Sequence, residues 1–188
     1  MKKLFFIIIV LIFFINNVAF ATPRNTFKID ASKNAINHNN LGVNYLERKD
    51  YYSAIKEFEI AILINPDTQA SATYYNNLGK TYLKIGYPDM AEKAFKDALK
   101  RNPANFEFYQ NLVTSYKEQN KLSSELRKAI SDKKISSRVI GGLILIETGK
   151  LESGINMLDE FCFDEPEMIL SKGVRSYLQT IVPNNFRF

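Results

Sequence analysis

The residues of this sequence that could perform chemistry are few and widely spaced. His38 is the single histidine and Cys162 the single cysteine, so neither a two-histidine metal site nor an internal disulfide can form. No serine stands in a motif that supplies a histidine or lysine base, and the glycines do not form a phosphate-binding loop. The sequence therefore predicts no catalytic residues, no metal site and no cofactor, and we expect the protein not to be an enzyme.

Two clusters of charged residues and the cysteine have both a functional and a structural interpretation. The acidic cluster could attract a basic partner or calcium, although its spacing is not that of a calcium loop. The basic cluster could meet lipid head groups or an acidic partner, and solvated helix ends are the simpler interpretation of both. Cys162 lies between two phenylalanines, which favours a buried apolar side chain over a bridge between two chains. The clusters are Asp159, Glu160, Asp164, Glu165 and Glu167, and Arg127, Lys128, Lys133, Lys134 and Arg138.

The N-terminal 21 residues have the pattern of a secretory signal peptide. Lys2 and Lys3 precede twelve consecutive apolar residues, and Ala19 and Ala21 are the small residues that a signal peptidase reads. We expect cleavage after Ala21 and export to a bacterial periplasm, with secretion as an alternative. If residues 4–21 were retained, they would anchor the protein in the inner membrane, although this segment is short of the roughly 20 apolar residues of a spanning helix. A flexible leader is expected over 22–34.

The charge and composition narrow the class of partner. The net charge of +5 falls to +3 once Lys2 and Lys3 are removed with the signal peptide. This excess is too mild to indicate nucleic-acid binding. The 46% hydrophobic content is ordinary for a folded protein of 188 residues.

The elements that position these side chains follow from a pattern that occurs twice, 37 residues apart. Apolar residues three and four apart predict two amphipathic helices in each copy, with turns at Lys49–Asp50 and Gly86. A proline ends each copy because it cannot donate a backbone hydrogen bond. Such a repeat predicts stacked helical hairpins. The recurring residues are Leu41, Gly42, Tyr45, Ala54, Phe58, Ala61 and Pro66, then Leu78, Gly79, Tyr82, Ala91, Phe95, Ala98 and Pro103.

These two copies, residues 35–105, resemble the tetratricopeptide repeat family. The family places a large residue at position 4, which is Tyr75 in the second copy and His38 in the first, so we interpret His38 as a packed side chain. The resemblance implies an all-α fold, a right-handed stack of antiparallel helical hairpins with a C-terminal capping helix. Small residues are expected where helices approach closely and aromatic rings beside them. The expected packing residues are Gly42, Tyr45, Ala54, Phe58, Gly79, Tyr82, Ala91 and Phe95.

Residues 106–164 are interpreted as two degenerate copies of the repeat. In the third copy, Val113 replaces the glycine and Glu125 replaces the small residue, whereas the fourth keeps Gly142 and Gly154. Residues 165–188 are expected to form the capping helix, starting at Pro166, and a tail. A helix that seals the open end is typical of a repeat array. Its inward-facing residues are predicted to be Ile169, Leu170, Val174, Tyr177 and Leu178.

The resemblance also implies a binding surface. In this family the first helix of each repeat lines a concave groove at positions 2, 5, 9 and 12. Amide side chains there could hydrogen-bond an extended peptide, and leucines could hold an apolar side chain. Some members grip a C-terminal carboxylate with Lys and Asn at positions 5 and 9, but here the first copy has Asn39 and Val43. Position 2 holds Ile36, Thr73 and Glu107, and the other groove residues are Asn39, Val43, Leu46, Asn76, Lys80, Leu83, Gln110, Thr114 and Lys117.

We therefore expect an exported, non-catalytic scaffold that binds a protein or peptide in this groove and acts in assembly of the bacterial envelope. Two alternatives stay open. One is a secreted effector or enzyme accessory whose activity lies in the divergent C-terminal half. The other is a scaffold held at the membrane by an uncleaved first segment. Neither a metal nor a nucleic acid is expected as a partner.

Overall fold

A computed structural model describes residues 34–132 and 134–182 of the chain. The expected signal peptide, nearly all of the leader, Lys133 and the tail after residue 182 lie outside these ranges. Within them the chain forms helices and no strand, and no helix is long and apolar enough to cross a membrane. The helices are α1 (Ala35–Glu47), α2 (Tyr51–Ile64), α3 (Gln69–Lys84), α4 (Pro88–Arg101), α5 (Phe106–Glu118), α6 (Leu122–Ser131), α7 (Ile135–Glu147), α8 (Leu151–Asp164) and α9 (Ile169–Ile181).

The helices are arranged as a stack of hairpins. Helices α1 and α2, α3 and α4, and α7 and α8 pack most extensively on each other, and the second helix of each pair also packs on the first helix of the next. The first helices α1, α3, α5 and α7 lie in a row in which each contacts its neighbour. This arrangement confirms the expected all-α, tetratricopeptide-like stack.

Each hairpin turn contains one residue in the left-handed backbone region. These residues are Lys49, Gly86, Asn120 and Gly149, with φ between 55° and 81°. The conformation reverses the chain so that the residue after it donates its backbone N–H to the first helix, as Tyr87 does to the carbonyl of Tyr82 at 2.9 Å. The prediction that Gly86 ends a helix in this conformation is confirmed.

Two hairpins close around a glycine that faces an aromatic ring. A Cβ added to Gly42 would lie 2.6 Å from Cε1 of Phe58, and one added to Gly79 would lie 2.5 Å from Cε1 of Phe95. Both rings are fully buried. The expectation that an aromatic ring fills the space beside each small residue is confirmed for these two phenylalanines, and Ala54 and Ala91 are also buried. The other two expected packing residues, Tyr45 and Tyr82, are only half-buried.

The third pair of helices is open by comparison. Val113 occupies the glycine position of α5, and α5 and α6 pack less extensively than the other pairs. The ten residues of α6 include none that is buried. The pair that lacks the repeated glycine is therefore also the pair whose helices pack least on each other.

The terminal helix α9 packs on α8 and also returns to α5. Leu170, Val174 and Leu178 are buried in the main core, and the ring of Tyr177 lies 5.3 Å from that of Phe106 between centroids. Two expectations are corrected. Helix α9 begins at Ile169 rather than at Pro166. Ile169 was expected to face inward, but it is 71% exposed because it is the first residue of the helix.

Glu92 ties the second hairpin to the third. Its carboxylate accepts hydrogen bonds from Lys96 at 2.6 Å, from Gln119 at 2.9 Å and from Lys121 at 3.0 Å. Partial burial raises the pKa of Glu92, but these hydrogen bonds outweigh burial and lower the pKa to about 2. The contacts join α4 to the turn after α5, so the ionised carboxylate stabilises the interface between the two hairpins.

Replacing Glu92 with glutamine is expected to lower the free energy of unfolding at pH 7 by about 1–3 kcal/mol, because charge-assisted hydrogen bonds are lost. A lowered pKa means that the wild type has this stability above pH 4.5 and loses it as the pH falls toward 2. Urea unfolding across this pH range should show the difference between the two proteins shrinking. The exposed Glu118→Gln variant is the control, and a difference that does not change with pH would contradict this account.

Candidate functional site

The row of first helices is held in register by pairs of asparagines. Asn77 donates to the amide oxygen of Asn39, and Asn111 donates to that of Asn76, each at 2.9 Å. The accepting side chains are only 9% exposed at Asn39 and 3% exposed at Asn76. This corrects the expectation for these two groove positions, because their amides bind the next helix and are closed to a peptide. The donors were missed, although the recurring Asn39–Asn40, Asn76–Asn77 and Gln110–Asn111 pairs carried the signal.

The two lysines predicted for the groove each pair with an acid of the next hairpin. Lys80 Nζ lies 3.3 Å from Oε1 of Glu107, and Lys117 Nζ lies 3.3 Å from Oε1 of Glu147. All four side chains are substantially exposed, so water screens these pairs and each adds little stability. Because the charges are matched, this surface has no strong bias toward an acidic or a basic partner.

The remaining predicted groove residues present a mixed surface. Val43, Leu46 and Leu83 are half-buried against the core below them. Gln110 is half-buried and Thr114 is exposed. We call the solvent-facing side of α1, α3 and α5 the groove surface, and its accessible residues are Ile36, Val43, Leu46, Thr73, Lys80, Leu83, Glu107, Gln110, Thr114 and Lys117.

The terminal helix forms a wall at one end of the groove surface. Tyr177 of α9 and Glu147 of α7 line a cavity of about 180 Å³ together with groove residues Gln110 and Thr114. Burial raises the pKa of Tyr177, and the nearby carboxylate of Glu147 raises it further. The sequence did not predict this end wall, because it depends on the docking of α9 against α5.

A second cavity lies away from the groove surface, between the first two hairpins. We call it the outer pocket. It has a volume of about 350 Å³, and two of its apolar residues are unusually exposed, Leu63 at 67% and Met90 at 42%. No residue of this pocket was predicted to bind a partner, and Tyr82 was expected only as a packing residue. It is lined by Ile62, Leu63, Tyr75, Leu78, Tyr82, Met90 and Ala94, with Glu59, Lys93 and Asp97 as its charged residues.

The isolated reactive side chains are part of the core. His38 is buried with Nδ1 2.7 Å from Oε2 of Glu57, which confirms that it is a packed residue. Cys162 is buried with Sγ 3.6 Å from the carbonyl of Ser171, and burial raises the pKa of its thiol. Its burial leaves no surface for a bridge to another chain.

Some residues of the charged clusters form ion pairs, either with the other cluster or with a nearby acid. Arg138 of the basic cluster lies 2.8 Å from Asp164 of the acidic one, and Lys128 lies 2.6 Å from Glu125. In the part of the chain that the structure describes, no group of three or more His, Cys, Asp or Glu residues is arranged to hold a metal ion. These pairs favour the interpretation of both clusters as solvated helix ends.

The fold and its row of first helices define a tetratricopeptide-like repeat protein. Residues 34–104, which span the first two hairpins, match the family model described as tetratricopeptide repeat. No curated protein matches the chain.

Three solved structures, two of them described as tetratricopeptide proteins, are similar to this chain at low sequence identity. PilF of Pseudomonas aeruginosa is 15% identical with a TM-score of 0.50, over 78% of this chain and 68% of that one. The second such domain of human RPAP3, solved with an HSP70 peptide, is 17% identical with a TM-score of 0.47, over 68% and 93% of the two chains. YrrB, described as having an unusual peptide-binding site, is 17% identical with a TM-score of 0.46, over 78% and 76%.

Proposed function

We propose that this protein is an exported, non-catalytic scaffold that binds a protein or peptide along the groove surface and acts in assembly of the bacterial envelope. The observation that carries the proposal is the solvent-facing row of first helices, which runs across three hairpins and ends at Tyr177. Its position suits an extended segment of a partner, since successive helices present side chains at regular intervals along one direction.

The helices of the groove surface are joined to one another by their own hydrogen bonds. The asparagine pairs fix the spacing of α1, α3 and α5, and both accepting amides are buried. A surface that is already ordered loses little conformational entropy on binding, which favours affinity. Half-buried Val43 and Leu83 offer apolar contact, while Thr114 and the matched ion pairs offer polar contact. These features favour a partner segment of mixed character over a strongly charged one.

Export is supported by the signal-peptide pattern at residues 1–21. Producing the full chain in a Gram-negative host and measuring the intact mass of the protein in the periplasmic fraction tests it directly. A mass that corresponds to a chain beginning at Thr22 is the expected result. Full-length protein in the inner-membrane fraction would favour the anchored scaffold instead.

A double variant, Thr73→Arg with Thr114→Arg, is expected to weaken peptide binding to the groove surface. Both threonines are exposed, so two large cations would obstruct the row without disturbing the core. The probe is a library of random nonapeptides, from which the wild type selects binders whose affinity is then measured by fluorescence polarisation. We expect the affinity of selected peptides to fall at least about tenfold, since two blocked contacts cost on the order of 1.4 kcal/mol or more.

The matched control is the double variant Ser123→Arg with Thr180→Arg. It adds the same two arginines at exposed positions of α6 and α9, outside the groove surface. This control should bind the selected peptides like the wild type. Equal binding by the groove variant would show that the peptides bind another surface.

A further inference from the structure

The outer pocket has an internal counterpart that shows what fits it. The same place exists between the second and third hairpins, where α4 and α5 take the roles of α2 and α3. There Lys96 extends over the ring of Tyr116, with Nζ 5.6 Å from the ring centroid. At this interface a lysine of the chain itself therefore lies with its cation near an aromatic face.

Between the first two hairpins the lysine is absent. Glu59 stands where Lys96 stands in the next copy, 37 residues on, and Tyr82 stands where Tyr116 stands, 34 residues on. Both residues lie beside the tyrosine of the next helix, but Glu59 does so through its carboxylate, whose Oε1 accepts a hydrogen bond from the hydroxyl of Tyr82 at 3.4 Å. The cavity of about 350 Å³ lies beside this pair, and both Glu59 and Tyr82 line it.

The walls of the outer pocket suit a long aliphatic side chain that ends in a cation. Ile62, Leu63 and Met90 provide apolar contact along its length, as the stems of lysine and arginine require. The next interface has Lys100 in place of Leu63 and Ser124 in place of Met90, so the apolar character is specific to this pocket.

The charges near the pocket place the cation on one side of it. Asp97 already pairs with Lys100 at 3.0 Å, which leaves the carboxylate of Glu59 beside Tyr82 to receive a positive group. Lys93 also lines the pocket and would repel a cation on its side. At the far end, the guanidinium of Arg101 covers the ring of Tyr75 at 4.2 Å, so this part of the fold already stacks a cation on an aromatic ring.

We propose that the outer pocket binds a lysine or arginine side chain of a protein partner, with its stem against Leu63 and Met90 and its cation beside Glu59 and Tyr82. This site is separate from the groove surface and does not depend on it. It would let the scaffold hold a basic segment of a partner on its outer side.

The decisive variant is Glu59→Lys. It gives the interface between the first two hairpins the lysine that the next interface has at the equivalent position, Lys96. Four pools of nonapeptides carry Lys, Arg, norleucine or Glu at the central position and random residues elsewhere. Fluorescence polarisation should show the wild type binding the Lys and Arg pools about tenfold more tightly than the norleucine pool, as expected for a cation near an aromatic face and a carboxylate. The Glu59→Lys protein should lose this preference, and Glu160→Lys, the same charge change on α8, should keep it.

A second variant protects the result against a folding defect. Met90→Ser introduces the residue of the third copy and should weaken binding of the Lys and norleucine pools alike, because it removes an apolar wall. Equal preference for Lys in the wild type and Glu59→Lys proteins would overturn the proposal, as would a wild type that binds no pool or prefers the Glu pool.

The two binding proposals fail in different ways. In one outcome, the wild type binds all pools without preferring Lys or Arg, and the Thr73→Arg with Thr114→Arg variant loses this binding. That result would leave the groove surface as the site and rule out the outer pocket. A preference for Lys and Arg that only Glu59→Lys abolishes would support the outer pocket, even if the groove variant bound every pool normally.

Discussion

Gly79→Leu is expected to lower the free energy of unfolding by about 3 kcal/mol and to disrupt the second hairpin. A Cβ at this position would lie 2.5 Å from the ring of Phe95, which is fully buried and has no room to move. The hairpin must either open or expel the ring, and loss of a buried phenylalanine costs about 3–5 kcal/mol. The better helix propensity of leucine offsets about 1 kcal/mol of this cost. Urea denaturation followed by circular dichroism measures the effect.

The neighbouring Lys80→Leu variant is the matched control for this prediction. Lys80 is on the same helix but exposed, so its replacement adds the same side chain without meeting Phe95. Combining Gly79→Leu with Phe95→Ala should recover part of the lost stability, because the smaller side chain makes room for the leucine. If Gly79→Leu and Lys80→Leu were equally stable, the close approach of the two helices would not be what holds the hairpin.

Gly173→Leu should detach the terminal helix from the stack. A Cβ at Gly173 would lie 2.7 Å from Cβ of Phe106, and both atoms are next to their backbones and cannot move aside. Detachment would expose Leu170, Val174 and Leu178, each worth about 1.5–3 kcal/mol when buried. Hydrogen exchange measured by mass spectrometry should show rapid exchange across residues 169–181, while α3 and α4 remain protected.

The control for the terminal helix is Ser176→Leu, which adds the same side chain at an exposed position of α9. It should leave exchange across the helix slow. A Gly173→Leu protein whose α9 remained protected would mean that α9 docks in another way. Because Tyr177 forms the end wall of the groove surface, detachment should also open the cavity that it lines.

The packing of the first two hairpins could be predicted because its signals are local. Gly79 and Phe95 are 16 residues apart, and their identities already require two helices joined by a tight turn. The same reasoning applies to the third pair, where Val113 in place of the repeated glycine indicates a departure from close packing. Such signals survive in a sequence because each hairpin must satisfy them within itself.

The candidate sites depended on contacts between hairpins. Asn76 was expected to face a peptide because its helical position points along the groove, yet its amide accepts a hydrogen bond from Asn111, 35 residues away. The outer pocket was missed for the same reason, since exposed Leu63 and Met90 belong to different hairpins. Helical periodicity tells which side of a helix a residue is on, but not which neighbour reaches it.

The sequence by itself determined the all-α class, the repeat and the hairpin packing, because small and aromatic residues at constant spacing allow few other ways to bury an apolar stripe. Only the tertiary structure decided which polar side chains were available to a partner. Burial of Asn39 and Asn76, the return of α9 to α5 and the unfilled place beside Glu59 all follow from the distances between helices. Those distances arise from the packing of the whole stack, which no single repeat encodes.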